Sequence, residues 1–385
     1  MKKASLAYIK EKNTRLIFRE TKKNDRITRA DLARLTELTP STVSYITGVL
    51  LEKGILRESG TEDVGRTGRK GIMLEINYDD HLLLGYDVGS LNTKAVICNG
   101  RGDIIESKTM ETVKGKGLQD QIETVIAELL KMYPAVKSVG MAFPGHVDFL
   151  SNNVVSSHNL GIQNFNANQF VEDRFGLPAH IDNNVSMMAK LIILNQKFSS
   201  ENFVVVNLGP GIGSSIVFNN QILRGENNSA GEIGHLTVNH TGKMCTCGKR
   251  GCLETEASAR AIVANYKSMS GRDDIGCNDS LAVFNLAMGG DPDARKAFER
   301  AGKYLGIALA HMVNILDPAR VYICGGVSSA WELMERSTME FFRRNAFYAS
   351  VNTEITSSKL GPFGTAIGAA LYAFEAYVNG QIRSR

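Results

Sequence analysis

Within one short stretch, GEIGHLTVNHTGKMCTCGKRGCLE (Gly231 to Glu254), the chain places His235, Cys245, Cys247 and Cys252, with Gly248 and Gly251 among the thiols. Three thiolates and one imidazole form the tetrahedral N/S donor set of a structural zinc site, at metal–ligand distances of roughly 2.0–2.3 Å. Cys245 and Cys247 flank a single residue, so both sulfurs reach one ion only through a tight turn, which the glycines permit. The alternative is a disulfide or idle buried thiols. Against it, Cys98, Cys277 and Cys324 are scattered singly, and nothing marks an oxidising compartment. Four protein ligands leave no open position for a reactive water, so the metal is expected to be structural.

A chain of 385 residues suggests two or three domains. Hydrophobic content of 43% with 22% charged residues is globular. No apolar run reaches the ~18 residues that span a bilayer. Ala301–Leu316 comes nearest and is interrupted by Lys303 and His311. Lys10, Glu11, Lys12 and Arg15 break up any signal-peptide core, so a cytosolic placement is expected. Charge is uneven: residues 1–75 hold 16 Lys/Arg against 10 Asp/Glu, while the remainder holds 28 against 30. A basic head on a near-neutral body points to a polyanion partner for the head.

Arg26 to Leu56 carries the matching pattern. Thr28 and Asp31 make a capping-box-like start to a short helix with Leu32 and Leu35 expected inward. A turn follows around Glu37–Thr39; Thr39 then reads as an N-cap and Pro40 as the first residue of a second helix. Val43, Ile46 and Leu50 share one face of that helix. Ser41, Thr42, Ser44 and Tyr45 lie away from that face, as expected of a recognition helix in a major groove. Leu56–Glu58 and Gly71–Ile76 read as two strands around a loop, a β-wing whose Arg66, Arg69 and Lys70 are placed to meet phosphates. An ordinary helical hairpin is the competing reading.

The body opens with an apolar strand, Leu82 to Val88, that runs into Asp87-Val-Gly89; a second strand follows over Thr93–Asn99. A second strand–loop–strand, Asn202–Ile222, contains Gly209-Pro-Gly-Ile-Gly213, and Cys324-Gly-Gly-Val-Ser328 closes a third strand at Arg320–Ile323. This internal duplication predicts two lobes with a cleft for a small ligand.

The run G-E-x-G-H, followed ten residues later by C-x-C-G-x-x-G-C-x-E, resembles the ROK family of sugar kinases and sugar-responsive repressors. The resemblance implies an α/β fold: an actin-like, sugar-kinase (ribonuclease H-like) two-lobed domain. Here an α+β winged helix-turn-helix domain precedes it, as in the family's repressors. It places the DNA-binding domain at 1–78 and the sugar domain at 82–385. The first lobe is expected near 82–190 plus a C-terminal helix near 365–385, and the second near 191–364 with the zinc knot at 235–252. Asn159, Asn183, Glu232, His235 and Glu254 match family positions that contact sugar hydroxyls.

Three departures from the family's kinases stand out. Ser90 and Leu91 follow Asp-x-Gly where the kinases have Gly-Thr, and Pro210 replaces the Thr of Gly-Thr-Gly. Proline removes a hydroxyl and a backbone N–H from an anion nest that needs donors. Where the kinases read Glu-Asn-Asp-x-Asn, this chain reads Asp182-Asn183-Asn184-Val185-Ser186. Asn184 has the shape of the general base without its basicity, although it can still bond a sugar hydroxyl. The expectation is a dimeric, zinc-containing repressor that binds operator DNA and a sugar effector and lacks kinase activity. A working sugar kinase with an accessory DNA-binding head is the alternative.

Overall fold

The computed structural model describes residues 6–61, 71–195, 201–276, 279–358 and 360–383. The chain divides into two compact units, Met1–Phe198 with Thr365–Arg385, and Ser199–Gly364.

The first unit begins with α1 (Leu6–Asn24), β1 (Ile27–Thr28), α2 (Arg29–Thr36), α3 (Pro40–Glu52), β2 (Leu56–Thr61) and β3 (Ile72–Ile76). Both short helices start as their sequences dictate. Thr28 accepts from the Asp31 N–H and Thr39 from the Thr42 N–H, each satisfying a donor that a helix start leaves unpaired. Leu32, Val43, Ile46 and Leu50 are buried, and α1 packs on α2, α3 and β3. Leu35 does not face inward as expected: it is 45% exposed. In a helix of eight residues the buried stripe falls on Leu32 and Thr36, one turn apart, and Leu35 lies to its side. Strands β2 and β3 pair antiparallel, with Leu56 opposite Ile76, and β1 adds to the other edge of β3.

The same unit continues with β4 (Leu82–Val88), β5 (Asn92–Cys98), β6 (Ile104–Glu111), α4 (Gly117–Met132) and β7 (Val136–Phe143). Then come β8 (His146–Asp148), β9 (Asn153–Ser157), β10 (Ile162–Asn166), α5 (Ala167–Phe175), β11 (Ala179–Asn183) and α6 (Asn184–Asn195). Five strands form one sheet in the order β11-β7-β4-β5-β6. One face buries Leu84, Tyr86, Met141 and Phe143 against Ile122 and Ile126 of α4 and Val171 of α5.

The second unit holds β12 (Phe203–Leu208), β13 (Ile212–Phe218), β14 (Gln221–Ile222), α7 (Leu253–Ala257), α8 (Ala259–Ser270) and α9 (Ser280–Met288). It ends with α10 (Pro292–Leu316), β15 (Arg320–Cys324), α11 (Trp331–Asn345) and β16 (Glu354–Ser357). Its sheet runs β14-β13-β12-β15-β16. Each five-stranded sheet is therefore an antiparallel three-strand meander whose first strand pairs in parallel with a fourth, which pairs in parallel with a fifth. That is the duplication expected from the glycine-ended strands.

The last helix, α12 (Gly364–Arg383), returns to the first unit. It lies so close to β4 and β7 that a Cβ on Gly85 would sit 2.0 Å from the Ala366 carbonyl oxygen, and one on Gly140 1.8 Å from that of Ala369. Only glycine at both strand positions, facing alanines on the helix, allows this approach.

Candidate nucleic-acid interface, metal centre and effector site

On α3, Ser41, Ser44 and Tyr45 are exposed and Thr42 is half-buried, while Val43 and Ile46 point into the core. Ser41 and Thr42 are tied to the cap: Thr39 Oγ1 lies 3.1 Å from Ser41 Oγ and 2.8 Å from Thr42 Oγ1. Lys10 of α1 donates to Tyr45 Oη at 3.2 Å. Several of the head's arginines are already ion-paired within it. Arg26 and Arg57 both pair with Glu75, Arg29 with Glu58, and Arg34 with Asp31. Burial works against the Glu75 carboxylate, yet Arg57 and Arg26 hold it below the usual range. The wing residues expected to meet phosphates, Arg66, Arg69 and Lys70, lie outside the described residues.

The four metal-ligand candidates converge. The donor atoms of His235, Cys245, Cys247 and Cys252 all lie within 4.8 Å of one another. Cys247 Sγ is 3.6 Å from Cys252 Sγ, and Cys245 Sγ is 3.7 Å from His235 Nδ1. A tetrahedral ion with bonds near 2.3 Å separates its ligands by ~3.8 Å, so this donor set fits one ion. The loop is built for it. The Lys249 carbonyl accepts from the Cys245 N–H at 2.8 Å, and the Leu236 carbonyl from the Leu253 N–H at 2.8 Å. Gly251 has φ +66°, and a Cβ there would sit 1.5 Å from the Asn239 carbonyl oxygen. The Lys249 N–H pulls the Cys247 thiol below its ordinary value, while burial pushes that of Cys252 up.

A residue the sequence reading passed over anchors this loop. Glu256, 2% exposed, accepts from Asn239 Nδ2 and from Arg300 Nη2, each at 2.8 Å, and so fixes the loop to α10. Its only signal was a second carboxylate two places after Glu254.

The polar residues expected to meet a sugar fall into two sets, one in each unit. In the first, Asn159 sits in the turn between β9 and β10. Asn183 ends β11 and begins α6: its Oδ1 accepts from the Val185 N–H at 2.9 Å and its Nδ2 donates to the Gly145 carbonyl at 2.8 Å. Two of its bonding positions thus serve structure, leaving one N–H and one lone pair. Asn184 is half-buried and its side chain makes no hydrogen bond to a described residue. In the second unit, Glu232 is exposed and His235 ends a short 3-10 turn. Glu254 Oε2 accepts from the Ile212 N–H at 3.1 Å.

A model of the ROK family matches residues 83–376. The chain belongs to the ROK family. A winged helix-turn-helix DNA-binding model matches residues 10–57. The chain is 28% identical to the xylose repressor of Caldicellulosiruptor bescii over 385 residues, covering 94% of each. A solved ROK family transcriptional regulator, a homologue of the Escherichia coli MLC protein, superposes with TM-score 0.84 at 24% identity, over 97% of this chain and 98% of that one. The ROK glucokinase of Streptomyces griseus, solved with glucose and AMPPNP, gives TM-score 0.69 at 26% identity, over 76% of this chain and 99% of the glucokinase.

Near the end of β4, Asp87 of Asp-x-Gly has its Oδ1 enclosed without a hydrogen-bond partner, and burial raises its pKa to about 7 against the pull of Lys94. After β12, the turn offers few free N–H groups. Gly209 donates to the Gly211 carbonyl at 3.0 Å, Pro210 has none, and Ile212 donates to Glu254.

Proposed function

We propose that this ROK protein is a sugar-responsive transcriptional repressor, with residues 1–78 binding operator DNA and residues 82–385 binding the sugar. The observation that carries this reading is the end-to-end match to a xylose repressor, head included, where the glucokinase corresponds to only 76% of the chain. The head offers a capped recognition helix with Ser41, Ser44 and Tyr45 exposed toward base edges. With most described arginines of the head internally paired, the wing's Arg66, Arg69 and Lys70 carry the phosphate contacts. Replacing Arg69 and Lys70 by Ala therefore lowers the salt slope of binding by about one unit per lost contact.

His235, Cys245, Cys247 and Cys252 hold zinc, which supplies a structural cross-link and no reactive water. With Nδ1 of His235 turned to the thiols, its other ring nitrogen is left for a sugar hydroxyl, beside Glu232 and Glu254. Asn159, Asn183 and Asn184 complete the donor and acceptor mix that a polyol needs. A sugar that binds a conformation other than the operator-competent one shifts the population and releases DNA. The protein acts as a dimer in the cytoplasm, since two recognition helices one DNA turn apart read a palindrome.

Catalysis is lost. Asn184 cannot accept the hydroxyl proton, a role worth ~10²–10⁴-fold. Leu91 stands where the family's kinases carry Thr, and the second turn spends the Gly209 and Ile212 N–H groups on the Gly211 carbonyl and Glu254. A kinase with an accessory head is the competing reading, favoured by the retained Asp87. Coupled ADP release with a panel of sugars separates the two: the repressor gives background, and turnover near the kinase range of ~1–100 s⁻¹ establishes the kinase. In parallel, deleting residues 1–76 abolishes DNA binding; retention of full affinity refutes the head's assignment.

A further inference from the structure

Helix α12 touches both the DNA-binding head and the helix that begins at the effector-side asparagines, all within one compact unit. Toward the head and the segment that follows it, α12 makes polar and aromatic contacts. Glu375 Oε1 accepts from Lys22 Nζ, in the last turn of α1, at 2.8 Å. Phe374 packs edge-on against His81 (5.4 Å) and beside Tyr78 (5.9 Å), in the segment joining β3 to β4. The carbonyl of Gln381 accepts from Lys53 Nζ, at the C-terminus of α3, at 2.5 Å.

Toward α6 the packing is just as close. A Cβ on Gly368 would sit 2.0 Å from the Met187 carbonyl oxygen, so α12 follows α6 with no side chain between the backbones. Lys190 of α6 lies over the Tyr372 ring at 5.4 Å, and its Nζ is 3.8 Å from the second oxygen of Glu375. One carboxylate is therefore shared by two lysines, one from the head and one from α6. The lysine side chains are 13% and 25% exposed and that of Glu375 31%, so these pairs are partly withdrawn from solvent screening. Lys190 stands six residues, about 9 Å of helix, beyond Asn184 at the start of α6. A displacement at the effector asparagines that moves α6 alters the Lys190–Glu375 separation, and with it the hold of Glu375 on Lys22.

We propose that Glu375 is a positioning residue that couples α6 to α1 through Lys190 and Lys22, carrying the effector signal to the DNA-binding head. Its purpose rests on the repressor reading, while the coupling itself is read independently of that function.

The test compares full-length wild type, Lys190→Met, Lys22→Met, the double variant and Glu375→Gln, chosen to remove charge while keeping side-chain bulk. Hydrogen exchange of α1 is read without DNA or sugar. Affinity is read for a duplex that the wild type selects from a random-sequence pool. Lys190→Met, which lies outside the head, raises exchange in α1 about threefold and changes duplex affinity by about as much; adding Lys22→Met goes no further. Glu375→Gln reproduces both effects. Lys190→Met that loosens only α6 and α12, or effects that simply add, overturns the proposal. Should the wild type select no duplex, the repressor reading fails while the exchange of α1 still decides the coupling.

Discussion

The two five-stranded sheets share one strand order, yet their first turns are held in different ways. The turn after β12 is closed from within: Glu254 takes the Ile212 N–H, Pro210 offers none, and the thiol loop that carries Glu254 is fastened through Glu256 to Arg300. In β4, just before its turn, Asp87 keeps an enclosed oxygen without a hydrogen-bond partner and burial raises its pKa to about 7, while the turn itself is held by Thr112, which donates to the Gly89 and Leu91 carbonyls. In a duplicated fold, one half thus carries a candidate metal loop tied down by Glu256, while the other keeps an enclosed carboxylate oxygen without a hydrogen-bond partner. A buried group of this kind costs stability.

The largest test breaks the half with the metal loop. Cys245→Ser, or chelation, should remove the single zinc per chain, lower Tm by roughly 10 °C and abolish any sugar response, because the thiol loop positions Glu232 and Glu254. Elemental analysis with thermal melts checks it, and zinc-free protein of unchanged Tm contradicts it.

The next sharpens the half that holds Asp87. The folded-state pKa of Asp87 is raised to about 7 from 3.8, so the folded chain binds a proton that the unfolded chain has released, and this group costs stability as pH rises from about 4 through 7. Asp87→Asn should then gain on the order of 4 kcal/mol over wild type between pH 4 and pH 8, read from urea titrations at both. A difference independent of pH removes the claim.

Outside both turns, Thr39→Ala should cost about 1 kcal/mol by uncapping α3, with unit 2 unaffected. Smallest of all, Asn184→Asp should leave ADP release at background, since a restored base still lacks positioned phosphates.

Much of this was readable in advance, for local reasons. Thr28 and Thr39 announce helix starts through bonds spanning three residues, and the metal donors fall within eighteen residues. The sheet duplication shows in glycine-ended apolar strands. Helix α1 was not readable, because its buried face runs through Thr14 and Thr21, whose hydroxyls donate to carbonyls one turn back and hide a hydrophobic period. Nor was the hub at Glu375, whose partner Lys22 lies 353 positions away with no local pattern to mark it. Asn183 stood out in the sequence only as a polar residue, and its tie to the Gly145 carbonyl, brought near only by the fold, left no local pattern.

The central claim is that sugar binding and DNA binding are linked in a chain that no longer phosphorylates. Fluorescence anisotropy of the full-length protein on its selected duplex, titrated with xylose, glucose and N-acetylglucosamine in turn, tests this most directly. Kd should be about 10⁻⁸ M or tighter without sugar and be weakened roughly tenfold or more by one of the sugars. DNA affinity that none of the sugars alters, in a protein that binds one of them, would contradict it.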